Sequence, residues 1–286
     1  MTNALSTVEI NSYRENGYLF PLDILDGDEV KQAQQALQQA REDATKQGIE
    51  ADLPMYLRTS THLVLPLVYQ LACHAKLLNK VESILGPNIL LWSAEFFIKP
   101  AQTEKIVSWH QDLTYWGLGE TDEEMTAWLA LSDVNTESGC MRFVPGSHRQ
   151  RILPHCDTFA DDNLLSRGQE VAVDIDEKDA IDVVLAPGQV SFHHGRIFHA
   201  SGPNRSMFDR VGLAIRYITP GVKQMVAERD YAMTVRGTDD SGYWIEVPPP
   251  EKNFEPAALA RHEQVRTDQN AALAEGIKPE QMHTAY

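Results

Sequence analysis

The apolar positions change period once along the chain, near residue 88. Before that point, Ser6 with Glu9 forms a capping-box pattern that predicts a helix start, and good helix formers run from 28 to 47 as far as Gly48. A third helical stretch, about 74 to 85, stops at Gly86-Pro87. From Asn88 onward the pattern is strand-like: Ile89-Leu90-Leu91-Trp92, Phe96-Phe97-Ile98, and the stretches 106 to 109, 125 to 134, 140 to 144, 189 to 193 and 208 to 218. Many short strands without long helices between them predict an antiparallel sandwich or barrel with the early helices packed outside it. Between Pro145 and about Ala186 lies an irregular segment carrying Asp157, Asp161, Asp162, Asp174, Asp176, Glu177, Asp179 and Asp182. Such a loop serves as a lid or binding loop, or is simply solvated. After Pro248-Pro249-Pro250 an extended linker and a surface helix at 256 to 274 are expected. The organisation predicted is one domain over 1–286: a helical flank at 1–87, a β core at 88–220 containing the loop 145–186, and a C-terminal extension at 248–286.

Composition narrows the partners. The chain of 286 residues is 43% hydrophobic and 23% charged, which is ordinary for a globular protein. No apolar run is long enough for a membrane span, and the N-terminus lacks a basic stretch followed by an apolar one, so a cytoplasmic protein is expected. Cys73, Cys140 and Cys156 have neither metal-type nor redox-type spacing, which argues against a disulfide framework. With 25 Lys and Arg against 41 Asp and Glu, the net charge of -16 would repel a phosphate backbone. Small molecules are therefore the expected partners, not nucleic acids or membranes. Nothing in the pattern specifies an oligomeric state.

Residues i and i+2 of a strand point to one face, so His110 and Asp112 can aim into one cavity and form half of a metal site. A second His-x-Asp, His155-Cys156-Asp157, follows Pro154 in the irregular segment, where nothing sets strand geometry. It reads as a chance occurrence, and loss of His155 is expected to be silent. The stretch 187–199 offers His193, His194 and His199 as a third ligand. Two histidines and a carboxylate on one face of a metal leave positions open for substrate and oxygen, as in non-haem Fe(II) oxygenases. Further on, Arg210, Gly212, Ala214 and Arg216 share a face by period two. A buried Arg can hold a dicarboxylate by a bidentate pair, and the small Gly212 and Ala214 leave room for one. The plain alternatives are hydrogen-bonded core histidines and structural salt bridges.

Trp109-His110-Gln111-Asp112-Leu113-Thr114-Tyr115-Trp116, then Ser138-Gly139-Cys140-Met141 leading into Pro145-Gly146-Ser147-His148, then His199-Ala200-Ser201-Gly202-Pro203-Asn204 followed by Arg210, together resemble the phytanoyl-CoA dioxygenases. The resemblance covers roughly 10 to 220. It implies a mainly β fold with flanking helices, a double-stranded β-helix (jelly roll, cupin-like) core, and an Fe(II)- and 2-oxoglutarate-dependent dioxygenase that consumes O2 and releases succinate and carbon dioxide. By position, it implies that His110, Asp112 and His199 bind iron. It further implies that Arg210 with Ser201 holds the distal carboxylate of 2-oxoglutarate and that Trp128 lines the cosubstrate pocket. The carboxylate of Asp112 favours hydroxylation over halogenation, because halide-installing relatives leave that coordination position open.

Ser93, Glu95, Phe97 and Lys99 alternate on the strand ending at Pro100, and the resemblance turns the Glu95 side toward the site. Glu95 and Arg216 would then grip a small zwitterion from opposite ends; the plain alternative for Glu95 is a partner for Lys99. An acidic lid would disfavour the phosphorylated CoA handle. The substrate expected is a small polar or zwitterionic metabolite of amino acid, compatible-solute or aminophosphonate type. The competing readings are a hydroxylase of an acyl-CoA or hydrophobic intermediate, a metalloenzyme on the same barrel that needs no cosubstrate, and a catalytically silent ligand-binding β-helix protein.

Overall fold

The computed structural model describes residues 4–157, 163–165, 169–171 and 177–273. Of the acidic residues named above, Asp161, Asp162, Asp174 and Asp176 lie outside the described residues. Helix α1 (Thr7–Asn16) starts at the predicted capping box, with the Ser6 and Glu9 side chains each accepting the other's backbone N–H. It ends at Gly17, held at φ 81. Strand β1 (Tyr18–Asp23) follows, then α2 (Gly27–Gln47), capped by Asp26 and terminated by Gly48 in the left-handed region. Three further helices, α3 (Leu53–Arg58), α4 (Pro66–Ala72) and α5 (Ala75–Leu85), complete the flank. α3 and α4 each open with a proline in the first turn, a start signal the sequence reading did not use.

The strands that follow are β2 (Ile89–Lys99), β3 (Val107–His110), β4 (Glu124–Ala130), β5 (Met141–Phe143), β6 (His155–Asp157) and β7 (Gln169–Val171). They continue with β8 (Ile181–Val183), β9 (Gln189–His193), β10 (His199–Ser201), β11 (Arg210–Ile218), β12 (Tyr231–Arg236) and β13 (Ile245–Glu246), and helix α6 (Pro256–Leu273) closes the chain. A seven-stranded sheet runs β1-β9-β4-β11-β2-β12-β13 and a four-stranded sheet runs β3-β10-β5-β8. The expected mainly β core with helices outside is thus present. The two apolar runs 89–92 and 96–98 are one strand, whereas the run 125–134 stops at Ala130, where the chain turns away through Ser132 and Asp133. Residues 18–23, inside the stretch read as helical, form an edge strand, the place where Pro21 costs the sheet no hydrogen bond.

The large sheet has two unlike faces. Leu213, Ile215 and Tyr217 of β11, with Phe96, Ala94 and Leu91 of β2, face the helices and form the main core together with Val68, Leu77 and Val81. The alternate residues of the same strands face the smaller sheet, and the cavity lies between the two layers.

Helix α6 is the expected surface helix, exposing Ala257, Ala260, Glu263 and Gln264, but one stripe of it is tied into the fold. Ala258, His262 and Val265 are buried, and the His262 ring donates from Nε2 to the Thr59 carbonyl at 2.7 Å. Next to it, burial pushes His62 down to about 3, with His262 lowering it further. An unfolded chain protonates such a histidine near pH ~6.5. The unfolded state therefore binds more protons between those values, and folding stability is lost as pH falls below about 6.5, by up to about 1.4 kcal/mol per pH unit for each such group. Urea unfolding of the metal-free protein should show a lower midpoint at pH 5 than at pH 7.5, with the difference reduced in His62→Phe. Equal midpoints would contradict a neutral buried His62.

Candidate active site

Strand β3 ends at His110, Gln111 stays extended (φ -116, ψ 125), and Asp112 opens a short 3-10 turn. His110 and Asp112 therefore still diverge to one side, although a strand end and a turn set their geometry instead of one continuous strand. Antiparallel pairing of β10 with β3 puts His199 directly opposite His110, with ring centroids 4.0 Å apart. His110 Nε2 lies 3.2 Å and His199 Nε2 3.8 Å from Asp112 Oδ1. One ligand atom from each of the three residues falls within 4.8 Å of the others.

The donor set fits a metal ion. His110 Nδ1 faces the Ser108 carbonyl at 2.8 Å and His199 Nδ1 faces the Ile197 carbonyl at 3.1 Å. A backbone carbonyl fixes the proton on Nδ1, which leaves each Nε2 lone pair aimed inward. Burial holds the His199 ring neutral, with His110 adding to the effect. Burial alone would raise the Asp112 carboxyl, but His199 and His110 outweigh it and hold the carboxyl well below the usual range. A neutral His199 ring and an ionised Asp112 carboxylate are protonation states that divalent metals require of such ligands.

Beside the triad the cavity is walled by Trp128, Ser201, Arg210 and Arg216, together with Thr126 and His193. Arg210 is 1% exposed, its guanidinium over the Trp128 ring at 5.3 Å, and Nη1 donates to the Gly139 carbonyl. Its Nε has no hydrogen-bond partner among the described residues. A Cβ on Gly212 would overlap the Trp128 ring, so this glycine is what lets the indole lie flat beneath the arginine. Lys99, which the sequence reading left as a strand residue, lies opposite Arg210 in the β2–β11 pairing. It is fully buried and does not reach Glu95; Nζ donates to Ser201 Oγ at 2.8 Å and to the Gly202 carbonyl at 2.5 Å. Burial, then the neighbouring Arg210, pushes the amine down to about 6. Arg210 and Lys99 thus share one dry corner, and no acidic side chain is ion-paired to either among the described residues. Its period-two spacing from Glu95 was the signal that could have found Lys99.

His193, one of three candidates for the third ligand, sits behind the triad, with Nε2 3.8 Å from Asp112 Oδ2. His194 turns away to Asp122 at 3.1 Å. Glu95 and Arg216 are placed against one another: Arg216 Nη2 lies 2.5 Å from Glu95 Oε1, under the Trp116 ring. Arg58 of α3 stacks on Phe97 and reaches within 3.9 Å of Glu95. His155 contributes no ligand to the metal group, yet it is bonded to the segment between two of the ligands.

The family model for phytanoyl-CoA dioxygenase (PhyH) matches residues 13–212. The chain belongs to the phytanoyl-CoA dioxygenase family. It is similar to a solved non-heme monooxygenase, ThoJ, with 36% identity over 93% of this chain and 97% of that one and a TM-score of 0.83. A probable alpha-ketoglutarate-dependent hypophosphite dioxygenase of Stutzerimonas stutzeri is 29% identical over 159 residues, 54% of each chain. The alignments span about half the length of the curated relatives that the chain matches. CytC3, solved with Fe(II) and alpha-ketoglutarate, shares the fold at 20% identity over 89% of this chain and 97% of that one, TM-score 0.65. CytC3 thus holds the Fe(II) and 2-oxoglutarate that the sequence leads one to expect here, and the His-Asp-His group of this chain is a donor set that could take a metal.

The dry corner generates a test. At pH 7.5 an amine titrating near 6 is mostly neutral, and a carboxylate docking beside it raises its proton affinity. Addition of 2-oxoglutarate should therefore take up a proton, seen as a dependence of the calorimetric enthalpy on the buffer's ionisation enthalpy. Lys99→Met should abolish that dependence; an identical dependence in the variant would remove Lys99 from the corner's chemistry.

Proposed function

We propose that this PhyH-family chain is an Fe(II)- and 2-oxoglutarate-dependent dioxygenase, working as one catalytic unit, that hydroxylates an unactivated C–H of a small polar or zwitterionic metabolite. One observation carries the proposal: a His-Asp-His triad shares a cavity with a corner holding the buried Arg210 guanidinium and the buried Lys99 amine, neither with a carboxylate partner among the described residues. A guanidinium is costly to bury alone and the amine is driven toward its neutral form there; a dicarboxylate supplies what both lack. In this reading His110, Asp112 and His199 hold the iron. Arg210, Ser201 and Lys99 receive the distal carboxylate of 2-oxoglutarate, with Trp128 as the flat wall beneath. When bound, iron and 2-oxoglutarate supply the oxidation, in which dioxygen is split between succinate, formed with carbon dioxide, and the substrate hydroxyl.

The rest of the cavity sets the substrate. Phe97, Thr126, Trp128 and Met141 line the space beside the charged groups, and the cosubstrate takes a share of it. Glu95 and Arg216 stand as an ion pair at its edge and not at opposite ends. A zwitterion would enter across this pair, its cation on Glu95 and its anion on Arg216, and so replace one buried contact with two.

Three measurements test the proposal. Purified protein with Fe(II), oxygen and 2-oxoglutarate should release succinate slowly without substrate, and His110→Ala, Asp112→Ala or His199→Ala should each abolish that release. Arg210→Lys should raise the KM for 2-oxoglutarate by roughly tenfold to a hundredfold, because a point charge replaces a fork; an unchanged KM would sink the cosubstrate assignment. On the best substrate from a metabolite screen, Glu95→Gln should weaken substrate affinity and leave substrate-free succinate release intact. Unaltered affinity would put Glu95 outside the pocket and make an acyl-CoA or hydrophobic substrate the better reading.

A further inference from the structure

The second His-x-Asp motif is not part of the metal group, but it is built onto it. Gln111, between the ligands His110 and Asp112, is fully buried, and its backbone N–H donates to His155 Nε2 at 3.1 Å. His155 Nδ1 in turn faces the Leu153 carbonyl at 2.8 Å, with Thr114 Oγ1 at 3.4 Å. The carbonyl has no proton to give, so the Nδ1 proton is the ring's own, and Nε2 is left as an acceptor. Thr114 is the last residue of the turn that Asp112 opens, so His155 touches the chain on both sides of that ligand. The Gln111 side chain completes the attachment, donating to the Arg196 carbonyl at 2.9 Å and accepting the Leu153 N–H at 2.9 Å. Tyr115 meets the His155 ring edge-on, with centroids 5.7 Å apart.

We propose that His155 is a positioning residue for the metal centre: as a neutral acceptor for the Gln111 amide, it fixes the peptide plane between His110 and Asp112 and with it the angle at which the two ligands meet. The physical reason is that Gln111 is buried, and a buried N–H without an acceptor turns until it finds one. Turning the 110–111 peptide swings His110 directly, because its Cα lies in that plane, and shifts Asp112 through the backbone of Gln111 that joins it to the next peptide. The alternative is a packing role alone, in which the ring shape matters and the acceptor does not. This inference rests on the metal reading of the triad.

The test uses Co(II) alone as the probe, with the full-length metal-free protein, read by calorimetric titration and by the visible spectrum of bound cobalt. His155→Phe keeps the ring and removes the acceptor. His155→Gln keeps an acceptor at similar reach, and His155→Asn is too short to span the gap. Loss of a residue that orients a ligand typically costs about 10- to 100-fold in metal affinity. The Phe and Asn variants should show that loss with an altered cobalt spectrum, while Gln binds close to wild type. If the Phe variant does not fold, the Gln and Asn comparison carries the test. Wild-type affinity in Phe and Asn, or a loss in Gln equal to that in Asn, overturns the proposal. His110→Ala is the control that separates this from the underlying reading: cobalt binding that survives it removes the metal centre itself.

Discussion

The site depends on the register of β11 between β2 and β4. Arg210 faces Lys99, Gly212 faces Phe97 and Ala130, Ala214 faces Glu95 and Trp128, and Arg216 faces Ser93 and Thr126. Every one of these pairs lies on the cavity side, while Leu213, Ile215 and Tyr217 turn into the helical core. A slip of one residue would exchange the two sets, putting guanidinium groups among leucines. The register is therefore enforced by the core on one face, and the polar arrangement on the other inherits it. That inheritance lets the fold hold a guanidinium and an amine in a buried corner with no carboxylate paired to them among the described residues: the cost is carried by the packing on the opposite face of the same strands.

The second layer works differently. Strands β3 and β10 are only three or four residues long, and they carry His110 and His199, with Asp112 in the turn after β3. Short strands fix directions poorly by themselves, so the ligands are oriented from outside: carbonyls of Ser108 and Ile197 set the imidazole tautomers, and Gln111 ties the peptide between two ligands to Arg196 and Leu153. Metal centres depend on such outer contacts as much as on the ligands themselves. The chain also brings far-apart segments to one wall, since Arg58 of the helical flank stacks on Phe97 beside the Glu95–Arg216 pair. The helices thus shape the substrate side as well as covering the sheet.

What the sequence alone made legible follows from local physics. Capping residues and glycines placed α1, α2 and α5, and period two placed β9 and most of β2 and β11. The same alternation put Arg210 and Arg216 on one face, and the ordered motifs drew His110, Asp112 and His199 together before any coordinates. Three-residue strands such as β5, β8 and β10 carry too few positions for a period to show, and β1 was hidden because its six residues sit between two well-signalled helices.

Only the tertiary structure decided which neighbours these residues meet. Lys99 could have paired with Glu95 four residues back, but β11 inserts beside β2 and brings Arg210 to it, and β10 of the other sheet brings Ser201. Glu95 and Arg216 face one another, not the two ends of a ligand, because both lie in adjoining rows of the same sheet. His155 looked like a stray copy of the metal motif, since its surroundings come from a segment forty-four residues away. Local pattern fixes the face on which a side chain stands; contacts across long sequence separations fix what it touches, and no period in one chain encodes them.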